Sequence, residues 1–280
     1  MKTLILGSRG MLAFKLIDVF KGDDLIKWDL PELDITKRED VIKKVADLKP
    51  ELVINAAAYT DVDGCETNKE LAMNVNGYAV GYIAEACNKI NAPLVHISTD
   101  YVFDGKKSGG YLEEDKKNPI NVYGQSKALG EDLLMKNTKK FFLIRTAWLY
   151  GPNGKNFVDT IVRLASERPE LSVVTDQIGN PTYTGDLAEK IKEIVEKGIF
   201  GIYHVTNSGS CSWFDFAKKI LEIKEIRTPI EPTTSSEFKS TAKRPAYSIL
   251  INRNLEKYGI SKMRPWQDAL KYYLEAEKNG

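Results

Sequence analysis

Thr3-Leu-Ile-Leu6, then Gly7-Ser-Arg-Gly10, then Met11-Leu-Ala-Phe-Lys-Leu16 is the stretch that decides the fold of this chain. A short apolar run reads as a buried strand. The two-glycine turn after it opens a segment whose apolar residues, Leu12, Leu16, Val19 and Phe20, recur at helical spacing. Gly7 permits the tight turn, Gly10 lets backbone approach a phosphate, and Ala13 allows close helix–sheet contact. The first N–H groups of a helix have no partner within it and sit at the positive end of its dipole, so this turn can receive a pyrophosphate. A packing turn with two glycines is the alternative; the position between strand and helix favours the dinucleotide.

Outward from this unit the grammar repeats. Strands are expected at Leu25–Trp28, Leu52–Ile54, Leu94–Ile97 and Phe141–Ile144, with helices at Lys37–Leu48, Lys69–Asn88 and Gly124–Met135. Such alternation predicts an α/β chain, a Rossmann-like doubly wound parallel sheet, with nearly continuous apolar strands covered on both faces. After about Tyr150 the pattern loosens into helices at Val158–Ser166 and Asp186–Lys197 and strands at Leu171–Val174 and Gly201–Val205. Arg227–Pro245, with three prolines, reads as an irregular ordered surface segment. The expected division is residues 1–177, mainly a dinucleotide-binding domain, and 178–280, mainly a smaller C-terminal substrate-binding lobe from which segments can return to the sheet. A cleft between the two is the natural ligand site.

Composition narrows the function classes. Forty basic residues against 39 acidic ones give a formal charge of +1, which supplies no field for nucleic acid or an anionic membrane. The opening MKTLILG is too short an apolar run for a signal peptide or a span, so the expectation is a cytoplasmic protein. Cys65, Cys87 and Cys211 are too far apart in sequence to suggest a disulfide scaffold or a zinc cluster.

Several residues gather at predicted strand ends, where open α/β sheets bind ligands. Asp29 can accept a ribose hydroxyl, whereas Arg9 can meet a ribose phosphate, so NAD(H) and NADP(H) both stay open. Met11 and Leu12 complete the turn, Asp34 and Ile35 can frame the adenine, and Ala56, Ala57 and Ala58 let a flat coenzyme lie on backbone. Tyr123 and Lys127 share one helix face. Ketone reduction needs an acid for the developing oxyanion, and an adjacent ammonium makes a phenol a better one. Lys127 can also contact the coenzyme ribose. Thr99, at the end of the fourth strand, can donate to the reacting oxygen and complete a catalytic trio with Tyr123 and Lys127. His96 and His204 lie inside strands and read as packing residues. Trp266, Leu270 and Tyr273 share an apolar helix face.

Five stretches together resemble the extended short-chain dehydrogenase/reductases over essentially the full length. They are Asn55-Ala-Ala-Ala-Tyr-Thr-Asp-Val-Asp63 with Glu66, Ser98-Thr-Asp-Tyr-Val-Phe-Asp-Gly105, Tyr123-Gly-Gln-Ser-Lys127, Arg145-Thr-Ala-Trp-Leu-Tyr-Gly151 and Arg244-Pro-Ala-Tyr-Ser248. The resemblance implies hydride transfer to the 4-keto carbon of a dTDP-linked 6-deoxy sugar, dTDP-4-dehydro-6-deoxy-L-mannose, giving dTDP-L-rhamnose. It makes Tyr123 the proton donor, and it carries Thr60, Val62, Asp100, Tyr101 and Trp148 over as the wall around the sugar. Arg244 is the candidate for the diphosphate. Tyr101 stands where related dehydratases have a glutamate base, which disfavours dehydration. Lys15 stands where some members have an acidic residue that holds a metal between two copies, so a monomer or a homodimer without a linking metal is expected, and no catalytic metal. A reductase or epimerase for another nucleotide sugar, or a non-catalytic nucleotide-binding regulatory subunit of a partner enzyme, remain the alternatives.

Overall fold

The computed structural model describes residues 1–238 and 240–277. The chain opens β1 (Lys2–Leu6), α1 (Met11–Val19), β2 (Asp24–Trp28), α2 (Arg38–Leu48) and β3 (Leu52–Asn55). It continues through α3 (Val62–Thr67), α4 (Lys69–Ala72), α5 (Ala79–Lys89), β4 (Leu94–Thr99), α6 (Val122–Asn137) and β5 (Phe141–Thr146). Next come β6 (Leu149–Tyr150), α7 (Phe157–Glu167), β7 (Leu171–Val174), β8 (Ile178–Gly179), β9 (Thr182–Tyr183), α8 (Thr184–Lys197) and β10 (Gly201–His204). The last elements are β11 (Cys211–Ser212), α9 (Trp213–Ile223), β12 (Ile230–Thr233), α10 (Arg253–Lys257) and α11 (Trp266–Tyr272).

Six strands form one parallel sheet in the order β10-β5-β4-β3-β1-β2. Side-chain alternation on the strands builds two cores, one per face. Ile5, Ile54 and Ile144 face α1 and α8 through Leu16, Leu187 and Ile191. Leu4, Leu6, Val53 and Leu143 face α2 and α5 through Val41, Val45 and Ile83. This is the doubly wound arrangement expected from the periodicity. The chain leaves β1 for β2 on one side and β3 on the other, so the crevice beyond the carboxyl ends of β1 and β3 is the topological switch point.

A further apolar cluster unites α7, β7, α9 and α11 around Phe216, Ile220, Trp266, Leu270 and Tyr273. Beside it lie three two-stranded sheets, β7 with β12, β8 with β11 and β6 with β9. Residues 184–204 sit with the main sheet: α8 packs on α1 and β10 pairs with β5.

The structure departs from the sequence reading in three places. Arg227–Pro245 is not wholly irregular: β12 runs parallel to β7, and Pro232 is accommodated at the edge of a two-stranded sheet. Asn207–Trp213, which from its sequence reads as a loop beside secondary-structure elements, contains β11 and the first residue of α9 as well. The helix expected over Lys69–Asn88 is interrupted by a wide π-type turn at Met73–Tyr78.

That turn lies where α6 crosses. Asn76, at 1% exposure, donates from Nδ2 to the Tyr59 carbonyl at 2.9 Å and to Ser126 Oγ at 3.1 Å, and its Oδ1 accepts from the Tyr59 N–H at 2.8 Å. Glycine makes the crossing possible. A Cβ on Gly130 would stand 2.2 Å from the Asn76 carbonyl oxygen, and one on Gly124 would stand 2.1 Å from that of Tyr101.

Gly130→Ala drives a methyl into backbone that cannot rotate away, so it should destabilise the protein by about 1–3 kcal/mol. Gly22→Ala, with nothing within 4 Å of its Cβ, should stay within about 0.5 kcal/mol. Urea unfolding of the two variants beside the parent measures both.

Candidate active site

Two clusters meet at the carboxyl edge of the sheet. The first is a groove of about 260 Å³ at the switch point, lined by Gly7, Gly10, Asp29, Asp34, Ile35 and Ala56–Ala58, with Trp28, Leu30, Thr36 and Val75 among the other lining residues. It therefore gathers eight of the residues expected to hold a coenzyme. Gly7 has φ +74°, and a Cβ there would lie 2.6 Å from the Ala57 backbone, so only glycine fits beneath the groove. α1 has no side-chain cap and no acidic residue in its first turn, which leaves its N–H groups and dipole available to an anion.

Asp29 Oδ2 accepts the Arg9 N–H at 3.0 Å and Oδ1 accepts that of Leu30 at 2.9 Å, so this carboxylate also holds the phosphate turn in shape. The Arg9 guanidinium is 69% exposed, and the nearby Glu32 carboxylate stands at 4.0 Å. Asp34 caps its own turn through Thr36. Met11 lies against the loop at Gly154, and the Leu12 side chain is in the core, where only its backbone could serve a ligand. These features fit a dinucleotide: a side-chain-free cradle, an uncapped helix start, and a carboxylate and a guanidinium at the ribose end.

The second cluster sits where β4 meets α6. Asn121 caps α6 by accepting from the Gly124 N–H at 2.8 Å, and Glu66 accepts that of Val122 at 2.9 Å, so the first turn of this helix is fixed before Tyr123 projects from it. Lys127, one turn on and 2% exposed, donates to the Ile97 carbonyl at 2.6 Å. The Thr99 hydroxyl donates to Asp100 Oδ1 at 2.8 Å, and Thr99 lies close enough to the Tyr123 phenol to favour its charged form. The Tyr101 ring meets that of Tyr123 edge-on at 5.5 Å.

Burial pushes the Tyr123 phenol up, the Asp100 charge adds to that, and Thr99 opposes it, so Tyr123 keeps its proton at neutral pH. Burial brings the Lys127 amine down to about 8, with Glu131 opposing. Burial raises Asp100 to about 6, opposed by the nearby Ser248 and by the Thr99 hydroxyl. The centre thus holds a protonated acid beside a cation.

Of the expected sugar wall, Asp100 and Tyr101 adjoin the cluster of Thr99, Tyr123 and Lys127. Arg244 reaches it through Tyr101, while its Nη2 donates to Asp63 Oδ2 at 2.8 Å. Trp148 is joined less directly: its indole packs over Gly179, where a Cβ would lie 2.5 Å from it and 2.8 Å from Ser248 Oγ. Trp148 occupies a left-handed backbone conformation, φ +48°, and stacks on Trp213 at 3.5 Å with a 6° interplanar angle. Such a conformation is uncommon for a bulky residue and concentrates at functional sites. Thr60 is exposed and Val62 opens α3, next to the Asp63 that holds Arg244.

Sequence reasoning assigned no site role to Trp213, Ser248, Asp63, Val75 or Asn76. Ser248 and Asp63 stood inside the recognisable stretches, which was the available signal; Trp213 and Asn76 carried none, because their neighbours are remote in sequence. His96 is only half satisfied: Nδ1 pairs with Asn55 Nδ2 at 3.2 Å, whereas Nε2 makes no hydrogen bond among the described residues. Among those residues no group of three or more His, Cys, Asp or Glu is placed to hold a metal, and no helix is long and apolar enough to cross a membrane.

A switch-point groove for a dinucleotide, with a threonine, tyrosine and lysine converging beside it, defines a nicotinamide-dependent oxidoreductase of the extended short-chain type. The model of the RmlD substrate binding domain family matches residues 1–279. The chain is 42% identical to the spore coat polysaccharide biosynthesis protein SpsK of Bacillus subtilis, over 98% of this chain and 97% of that one. It is 41% identical to a dTDP-4-dehydrorhamnose reductase of Aggregatibacter actinomycetemcomitans, over 96% and 97%. A solved dTDP-4-dehydrorhamnose reductase of Bacillus anthracis in complex with NADP superposes with a TM-score of 0.95 at 41% identity, covering 98% of this chain and 99% of that chain. The chain belongs to the RmlD substrate binding domain family.

Gly7→Ala imposes both a strained φ and a clash on the groove floor, so NADPH affinity should fall about tenfold or more. A fluorescence titration of coenzyme into the purified variant, with its far-UV spectrum unchanged, checks this.

Proposed function

We propose that this chain reduces the 4-keto group of dTDP-4-dehydro-6-deoxy-L-mannose to dTDP-L-rhamnose. The observation that carries the reading is the convergence of Thr99, Tyr123 and Lys127 beside the coenzyme groove, in a chain similar over its whole length to proteins named dTDP-4-dehydrorhamnose reductase. Bound along Gly7, Gly10, Asp29 and Ala56–Ala58, the reduced coenzyme supplies a hydride.

The residues of the chain do the rest. Thr99 donates to the carbonyl oxygen and polarises it. Tyr123, kept protonated by burial, delivers its proton to that oxygen as charge develops there. Lys127 stabilises the phenolate left behind and reaches the coenzyme ribose. Trp148, backed by Trp213, offers a flat apolar face to the deoxysugar, with Thr60, Val62, Asp100 and Tyr101 around it. Arg244 is the diphosphate ligand of this reading, and it would exchange part of its pairing with Asp63 for the phosphate oxygens. NADPH is the favoured coenzyme, because Arg9 is exposed at the groove mouth while both Asp29 oxygens are engaged by backbone.

A second reading, reduction of a different dTDP-linked keto sugar, draws on relatives such as the dTDP-4-keto-6-deoxy-D-glucose reductase of Streptomyces niveus, 35% identical over 95% of this chain. Product analysis separates the two.

The purified chain given dTDP-4-dehydro-6-deoxy-L-mannose should oxidise NADPH faster than NADH and yield dTDP-L-rhamnose. Tyr123→Phe should lower kcat by about a hundredfold or more while coenzyme affinity changes little. A rate within a factor of a few of the parent would remove the acid role.

The pH profile carries a separate expectation. Lys127 is depressed from its ordinary value, so its ammonium is present below about pH 8 and lost as pH rises through that value. The kcat/KM of the free enzyme should therefore fall on the alkaline side of about 8. A profile flat to pH 10 would contradict the role given to Lys127.

A further inference from the structure

The face of α6 that carries Tyr123 and Lys127 continues one turn further to Glu131, whose carboxylate is completely buried. A buried charge is tolerated only with partners. Glu131 Oε1 accepts from Ser98 Oγ at 2.6 Å and from Arg145 Nε at 3.0 Å; Oε2 accepts from Arg145 Nη2 at 2.8 Å, with Lys117 Nζ at 3.3 Å. Burial would raise this carboxyl, but Arg145, Lys117 and Ser98 outweigh it and keep it ionised.

Two placements tie this carboxylate to the reaction centre and not to stability alone. Ser98 lies between Ile97, whose carbonyl receives the Lys127 ammonium, and Thr99, so Glu131 is bonded to the same strand end that orients both. Lys127 is itself withdrawn from water, and Glu131, four residues on, is the charge that favours its ammonium form.

The other groups around these two are accounted for. His96 of β4 faces Lys127 and is held neutral by burial. Asp100 and Cys65 act on Tyr123, and Glu66 accepts the Val122 N–H at the start of α6. On the far side of Glu131, Arg145 also donates to the Glu113 carbonyl and lies over the Phe103 ring, while the adjacent His204, brought down to about 3 by burial and by Arg145, is uncharged. Lys117 is shared with exposed Asp132.

We propose, on the reading of Lys127 given above, that Glu131 is a positioning residue of the reaction centre: its buried charge sustains the Lys127 ammonium, and its bond to Ser98 fixes the end of β4 against α6.

The test reads Lys127 directly and needs no sugar. In protein labelled with [ε-¹³C]lysine, the Lys127 signal is assigned by its loss in Lys127→Arg and followed against pH. The parent should titrate near 8. Glu131→Gln should lower the midpoint by about one to two pH units, the scale of one charge a helical turn away in a partly shielded interior. Ser98→Ala, which keeps the charge, should leave it in place. Because Glu131→Gln strands the Arg145 cation, the pair variant Glu131→Gln/Arg145→Met is measured beside it, and a lowered midpoint is again expected. An unchanged midpoint in either folded variant overturns the proposal. In turnover, the alkaline limb of kcat/KM should move down with the midpoint, a displacement that simple loosening of the fold would not produce. Failure of the parent to reduce any keto sugar would sink the reductase reading while leaving the titration result to stand.

Discussion

The contact on which the cluster of Thr99, Tyr123 and Lys127 depends is the approach of α6 to backbone at a distance that only glycine allows. Gly130 lies against the Asn76 carbonyl and Gly124 against that of Tyr101. Any side chain at either position would lift the helix, and Tyr123 and Lys127 would rise with it from Thr99 and Ile97. The π-type turn at Met73–Tyr78 belongs to the same contact. By widening the helix it turns Asn76 inward, where its amide joins Tyr59, just after the alanine floor of the groove, to Ser126, between Tyr123 and Lys127. One wide turn thus links the switch-point groove to the helix that carries Tyr123 and Lys127.

The same close packing sets the electrostatics. With α6 pressed onto β4, Tyr123, Lys127, Asp100 and Glu131 all lose water together, and each responds by its own sign: the phenol and the Asp100 carboxyl rise, and the amine falls. Glu131 is the exception, held ionised because Arg145 approaches it with two nitrogens. A hydrophobic pair would serve stability as well or better at such a site. Retaining a buried pair one turn from Lys127 makes sense where a fixed negative charge is wanted beside a cation that burial would otherwise discharge.

Much of this was legible in the sequence because it is local. The strand–turn–helix at Thr3–Leu16 and the repeated change of period are properties of consecutive residues, so the sheet, its two covered faces and the groove residues Gly7, Asp29 and Ala56–Ala58 could be read directly. Tyr123 and Lys127 were legible for the same reason, as one helix face. What stayed hidden is non-local. Trp148 and Trp213 stack across 65 positions of sequence, and Asp63 meets Arg244 across 181. No spacing rule announces such pairs. β12 was missed because Pro232 argues against a strand, and it is tolerated here because the pair β7–β12 has edges to spare.

The C-terminal segment Ala242–Ser248 shows how the two halves of the molecule become one site. It returns from the lobe built on α9 and α11 to lie over the ends of β4 and α6; its backbone bonds reach Ile178 of β8 and Gly105, and several side-chain bonds land beside Tyr123. Asp63 accepts from the Ala242 N–H and from Arg244, Asn121 donates to the Lys243 carbonyl, and Ser248 faces Asp100. Asn121 therefore has two tasks, capping α6 through its oxygen and holding the returning segment through its nitrogen. Because one side chain ties the start of α6 to the returning segment, a shift of that segment relative to the sheet would pull directly on the turn that carries Tyr123. A ligand bridging both halves would be felt at Tyr123 through bonds already present in the fold.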